Sequence, residues 1–201
     1  MNKYSLYCKV RRGNPYKAVM KKTQEHRTCG NSLNREFSQP LPRKALCTDI
    51  TFLYYGLARK AYFSVIKDIG SKEILAWQVS MNIEMELVLD TLNQLEKLSP
   101  KTLLHSDQGT HYTSPVYINR IKELGLIQSM SRKGNCVDNA PIESFFGHFK
   151  DECDYKRCST IQELTKEINT YMNYYNNYRP QWGLKKMTPV QYRDHLLSLT
   201  P

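Results

Sequence analysis

Three carboxylates stand out by their surroundings. Asp49 lies inside an apolar, β-branched run (TDIT), Asp107 just past another such run (HSDQG), and Glu143 at the start of an amphipathic segment (APIES). A carboxylate within an apolar strand, with no basic neighbour in sequence, is costly to bury unpaired. A bound cation removes that cost. Hard carboxylate oxygens suit Mg²⁺, which keeps waters and accepts phosphate oxygens from a substrate. Two such ions about 4 Å apart activate an attacking oxygen and stabilise a leaving one in phosphoryl transfer. Each acid also has a local explanation: Asp49 could cap a turn, Asp107 could brace the Gln108-Gly109 turn, and Glu143 could favour its helix dipole.

The elements that must carry these acids are legible from periodicity. ALCTDITFLYYG reads as a strand from Ala45 stopped by Gly56, AYFSVIKDI as a second ended by Gly70, and KEILAWQVS as a third. Their short separations imply an antiparallel meander. The period then changes. Met81, Met85, Val88, Leu92 and Leu95 predict a helix over 82–98, ended by Ser99-Pro100. TLLHSD reads as a fourth strand, 114–124 as a helix stopping at Gly125, LIQSMS as a fifth strand, and 131–138 as loop. A helix from about Asn139 takes Pro141 in its first turn, where the missing N–H costs little, and buries Ile142, Phe145, Phe149 and Cys153. A long helix over 160–177 buries Ile161, Leu164, Ile168, Met172 and Tyr175, and a short one follows Thr188-Pro189. Residues 16–28 read as a short helix, and the segment from Gln39 to Pro42 as an extended linker. The order β-β-β-α-β-α-β-α-α predicts an α/β fold, a mixed five-stranded sheet flanked by helices.

Of 201 residues, 40% are apolar and 24% charged, which excludes whole-chain disorder and bounds the chain to one ordinary domain with a small appendage. No run approaches the roughly 20 apolar residues of a spanning helix. The opening MNKYSLYCKVRRG lacks the apolar stretch of a secretory signal, so a cytoplasmic protein is expected. The net charge of +10 is concentrated: residues 1–44 carry 11 basic and two acidic side chains, leaving residues 45–201 at only +1. Basic arms bind nucleic acid by displacing counterions from phosphates, although a solvated tail has the same composition. The expected organisation is a basic arm and linker over 1–44, a core over 45–178 and a C-terminal tail over 179–201. Six cysteines without a CxxC pair read as structural thiols.

Asp107 and Glu143 have 35 residues between them. That spacing resembles the Asp-Asp-Glu constellation of retroviral integrases and related transposases. LCTDIT, HSDQGTHY and SRKGNCVDNAPIESF are similar to the WxTDIT-, HSDxGxxY- and SxxGxxxDNAxxESF-type segments of insertion-sequence transposases encoded in two overlapping frames, specifically the second-frame product. YYNNYRPQWGLKKMTP is similar to that family's tail, so the resemblance covers about residues 30–195. Val137 stands where the family usually has an aromatic, and His111 where Gln is common; neither departure removes an acid. The family's second frame normally carries a longer helical segment before the core. This chain enters near its end, at QEHRTCGNSLNREF, and so resembles an N-terminally truncated copy whose residues 1–44 are a remnant of that upstream region.

The resemblance implies an RNase H-like fold, Mg²⁺ or Mn²⁺ as a pair of ions, and metal-dependent cleavage and strand transfer of DNA during transposition. By matching position, Asp49, Asp107 and Glu143 would be the metal ligands. Lys150, seven residues after Glu143 on the same helix, would hold a DNA phosphate as a point charge. Arg132, Lys133 and Asn139 are further candidate DNA contacts. Asp138 and Asn139 would N-cap the helix that carries Glu143. His105 would brace the site or sit as a satisfied core histidine, and Gly134 would give a flexible loop. Implied partners are DNA, both element ends and target, a second copy assembled on that DNA, and a first-frame helix-turn-helix protein; no membrane is implied. In a bacterial cell the chain would be cytoplasmic and nucleoid-associated when bound to DNA. Two rival readings are a catalytically silent DNA-binding remnant that interferes with an intact transposase, and a stand-alone RNase H-like nuclease. The tail and the acid spacing argue against the nuclease.

Overall fold

The computed structural model describes residues 28–199 apart from Lys97 and Lys133. The helix expected over 16–28 therefore lies outside the described residues, save its last position. β1 (Ala45–Tyr55), β2 (Arg59–Asp68) and β3 (Ile74–Ser80) form the antiparallel meander, with Leu46 opposite Asp68 and Tyr55 opposite Arg59. The β1–β2 turn needs left-handed backbone at Gly56 (φ +51°), where a Cβ would also meet the Cys158 carbonyl at 3.0 Å. β4 (Leu103–Ser106) and β5 (Ile127–Met130) add in parallel, giving the order β3-β2-β1-β4-β5. Parallel strands need crossovers. α1 (Met85–Asn93) and α2 (Pro115–Glu123) supply them on one face of the sheet. α3 (Ala140–Glu152) and α4 (Ile161–Asn177) cover the other face, and α5 (Pro189–Ser198) follows.

Strand alternation sorts the core into two layers. Leu46, Ile66, Ala76, Leu104 and Met130 pack against Val88, Leu92, Tyr117 and Ile121. Cys47, Leu53, Phe63 and Val65 pack against Ile142, Phe145, Phe149 and Ile168. Phe149 is the hub of the second layer, with its ring 4.9 Å from that of Phe63 and 5.6 Å from that of Tyr155. Cys47, Cys153 and Cys158 are buried free thiols, and Cys29 is a half-buried one.

The structure departs from the expected elements at two places. α1 begins at Met85 and ends at Asn93 rather than spanning 82–98. There Gln94 turns its side-chain amide to the edge strand, donating to the Trp77 carbonyl at 2.9 Å, and Leu95 and Leu98 still reach the core from the turn that follows. The expected loop over 131–138 ends in a 3₁₀ turn, Cys136–Asn139, that runs directly into α3.

The described part of the N-terminal segment lies along β5. The amides of Ser32 and Leu33 donate to Ser129 Oγ at 3.0 and 3.2 Å, and the Leu33 side chain is buried in the core.

Candidate active site

Asp49 sits on β1 two residues beyond Cys47, the last β1 residue that β4 pairs with, and faces α3. Asp107 follows the last residue of β4, and Glu143 stands in the first turn of α3. The middle of β1, the end of β4 and the start of α3 thus bring the three acids to one cleft of about 520 Å³, shared with Gln108, Arg132, Gly134 and Asn139. None of the three is ion-paired among the described residues. Asp49 accepts from the Ile50 amide at 2.7 Å, and Asp107 from the Gly109 amide at 2.8 Å. A Cβ at residue 109 would fall 2.9 Å from Asp107 Oδ1, which accounts for glycine in HSDQG.

Burial first, and the facing Asp107 carboxylate second, push the Asp49 carboxyl up to about 7; the Ile50 amide opposes and Glu143 adds to the rise. The three side chains line the cleft without closing on one point. Among the described residues no group of three is drawn together tightly enough to ligate an ion as it stands. The Gly109 amide holds Asp107 in its turn. The donor set nonetheless suits a hard cation: three unpaired carboxylates share the cleft, and Asn139 Oδ1 beside them is buried without a hydrogen-bond partner.

Asp138 and Asn139 do not cap α3. Asn139 occupies the cap position, but no side chain bonds back to the helix. Its amide nitrogen instead approaches Asp49 Oδ2 at 3.5 Å. Asp138 is buried and gathers the entry loop around itself. It accepts from the Arg132 backbone amide, Nε and Nη2 at 3.0 Å each, from Arg35 Nε at 2.6 Å, and from Asn31 Nδ2 at 3.0 Å. The Arg132 guanidinium, with the Arg132 amide and Arg35, holds the Asp138 carboxyl well below the usual carboxylate range. The Arg132 guanidinium therefore spends two of its donors inside the protein, with its rim open to solvent. Lys133 lies outside the described residues.

Lys150 donates to Thr51 Oγ1 at 2.7 Å on the strand that carries Asp49, and partial burial lowers its pKa. His105 is a satisfied core histidine. It is fully buried in β4, and its ring nitrogens lie 2.9 Å from Ser129 Oγ and 3.0 Å from Ser131 Oγ. One further residue supports the site. Lys67, buried in β2, donates to the Pro141 carbonyl at 2.9 Å under the first turn of α3. Its signal was present in the sequence, because alternation from Phe63 and Val65 turns residue 67 inward. Arg35 and Asn31 carry no comparable signal.

Solved retroviral integrase cores share this fold. The HTLV-2 integrase catalytic core domain in complex with magnesium aligns with a TM-score of 0.60 at 14% identity, over 76% of this chain and 97% of that one. The BIV integrase catalytic core aligns at 0.58 with 19% identity, over 78% and 97%. The sheet is thus of the RNase H-like, retroviral-integrase type. Residues 39–136 and 143–197 match two family models, each described as an integrase core domain. InsK of insertion sequence element IS150 from Escherichia coli is 42% identical over 83% of this chain and 60% of its own length. A transposase-like protein of Haemophilus influenzae is 40% identical over 88% of this chain and 87% of its own length. The transposase for insertion sequence element IS904 of Lactococcus lactis is 34% identical over 82% and 67%. The chain belongs to the family of insertion-sequence transposases with an integrase core. It spans about three fifths of the length of InsK.

Proposed function

We propose that this chain is the catalytic core of a transposase that cleaves DNA strands at the ends of an insertion sequence and joins them to target DNA. The observation that carries this reading is the meeting of Asp49, Asp107 and Glu143 on one cleft from three separate elements, with Lys150 on the same helix as Glu143. These three carboxylates would hold Mg²⁺ or Mn²⁺, as two ions. When bound, the metal supplies charge stabilisation at the reacting phosphate and lowers the pKa of the attacking water or 3′-hydroxyl.

The remaining groups orient the DNA and the acids. Lys150 holds a phosphate next to the cleft, and Thr51 keeps its ammonium in place. Asn139 positions Asp49 through its amide, and Arg132 turns its solvent-facing edge to the DNA backbone while its inner edge fixes Asp138. Lys133 adds charge to the same loop. Pairing two element ends calls for a second copy assembled on the DNA, and end recognition by a first-frame helix-turn-helix protein completes the reading. No helix among the described residues is long and apolar enough to cross a membrane; DNA-bound protein would sit with the nucleoid.

The test is Mg²⁺- or Mn²⁺-dependent nicking and strand transfer on an oligonucleotide carrying the element end, with Asp107→Asn and Glu143→Gln as variants. Both should lose the reaction while keeping their fold and DNA binding. Retained activity in either variant would reject the site. DNA binding by the unaltered chain without any metal-dependent cleavage would leave the non-catalytic remnant instead.

A further inference from the structure

We propose that the outer half of the β1–β2 hairpin is a stacking platform for the unpaired bases of a single DNA strand that runs beside the acidic cleft. This rests on the reading that the chain acts on DNA, and it adds where a melted strand is held. α1 and α2 cover their face of the sheet as far as Ile50. Beyond it, Phe52 and Tyr54 stand on that face 50% and 54% exposed, with ring centroids 5.5 Å apart. Their cross-strand partners are Tyr62 and Lys60. Lys60 Nζ lies 4.9 Å from the Phe52 ring centroid and 4.8 Å from that of Tyr62. β4 pairs with β1 only through Cys47, so beyond it no described strand covers that edge of β1, and Lys150 comes to within 5.4 Å of the Phe52 ring.

Two features name the occupant. The first is charge: from Ile50 to Ser64 the hairpin carries Arg59 and Lys60 and no carboxylate, which favours a polyanion. The second is a link around the edge of β1: Phe52 faces away from Asp49, which lies three residues back on the opposite face, but Lys150, on the helix that carries Glu143, bonds Thr51 Oγ1 at 2.7 Å and lies 5.4 Å from the Phe52 ring. Aromatic rings flanked by cations bind single strands by stacking on bases and pairing with phosphates, whatever the sequence. A duplex hides its base faces and would use only the cations. Lys60 is itself exposed and can leave the rings for a phosphate as a base arrives.

The experiment uses the full chain carrying Asp107→Asn, so that cleavage does not interfere, and two probes: a single-stranded oligonucleotide containing 2-aminopurine, and the same strand in a duplex. Phe52→Ala and Tyr54→Ala should each weaken single-strand binding about tenfold. Both should abolish the 2-aminopurine quench and change duplex binding less than about twofold. Phe52→Tyr should preserve single-strand binding and quench. Lys60→Gln should lower the slope of log affinity against log salt by about one. Circular dichroism checks the fold of each variant. Unchanged single-strand binding in the alanine variants overturns the platform, as does an equal loss for duplex. So does a dimer, seen by sedimentation without DNA, that the alanine variants dissociate while still binding the strand; the surface then serves a second copy. If the parent chain binds neither probe, the DNA reading itself fails; if only the alanine variants behave as the parent does, the platform alone fails.

Discussion

Lys67 offers the sharpest quantitative test of how the acidic cleft is supported. Its ammonium is buried beneath α3, and burial pulls its pKa from the ordinary 10.5 down to about 8. The neighbouring Cys47 thiol, pushed by burial up to about 12, stays neutral over most of the range between. Below about pH 8 both folded and unfolded chains carry the proton, and the folded state bears the whole penalty of a buried charge. Between about 8 and 10.5 the folded lysine has released its proton while the unfolded one keeps it, so stability rises with pH. Above 10.5 the penalty is gone. At about 1.4 kcal/mol per pH unit, the interval from about 8 to 10.5 amounts to roughly 3 kcal/mol. Lys67→Met removes the titration but leaves the Pro141 carbonyl without its donor, a loss of about 1–3 kcal/mol. Near pH 7 the two effects largely offset, and the variant should lie between no change and about 2 kcal/mol more stable. The decisive quantity is the wild-type stability minus that of the variant. Measured by urea unfolding from pH 7 to 10.5, it should climb by about 3 kcal/mol. Subtracting the variant cancels the tyrosine titrations common to both proteins. A flat difference would refute the buried, charge-destabilised lysine.

Other perturbations follow from the same contacts. Asp138→Ala should release the loop from 132 to 139, so that limited proteolysis cuts there first and strand transfer falls; a protease map identical to that of the parent would contradict the loop anchor. Because the Asp138 carboxyl titrates well below its ordinary value when folded, its stabilisation is complete above the unfolded carboxylate pKa of about 4 and fades as pH falls below that, which acid unfolding of parent and variant should display. Phe149→Ala empties the hub of the aromatic layer and should cost about 3–5 kcal/mol in urea unfolding. Lys150→Ala, half-exposed and away from the core, should leave stability within about 1 kcal/mol of the parent but weaken DNA binding and flatten its salt dependence by about one in slope; an unchanged slope would remove Lys150 from the DNA interface.

Much of this protein was determined by local sequence. The five strands, the crossover helices and the two apolar layers follow from alternation and helical spacing, because short-range sterics and the side of an element that must leave water are set within a few residues. The acids were legible for the same reason: Asp49 is an anomaly in a run of β-branched residues, and Asp107 needs the glycine two positions on. Other features were decided only when distant segments met. Arg35 and Asn31 reach Asp138 across 103 and 107 residues, turning an apparent helix cap into the anchor of a loop. α1 stops where Gln94 finds the edge of β3, against a periodicity that ran on to Leu95. Phe52 and Tyr54 read as ordinary strand residues, and only the reach of α1 and α2 leaves them in water. In each case the governing term is the desolvation and pairing of groups far apart in the chain, which no window of neighbouring residues contains.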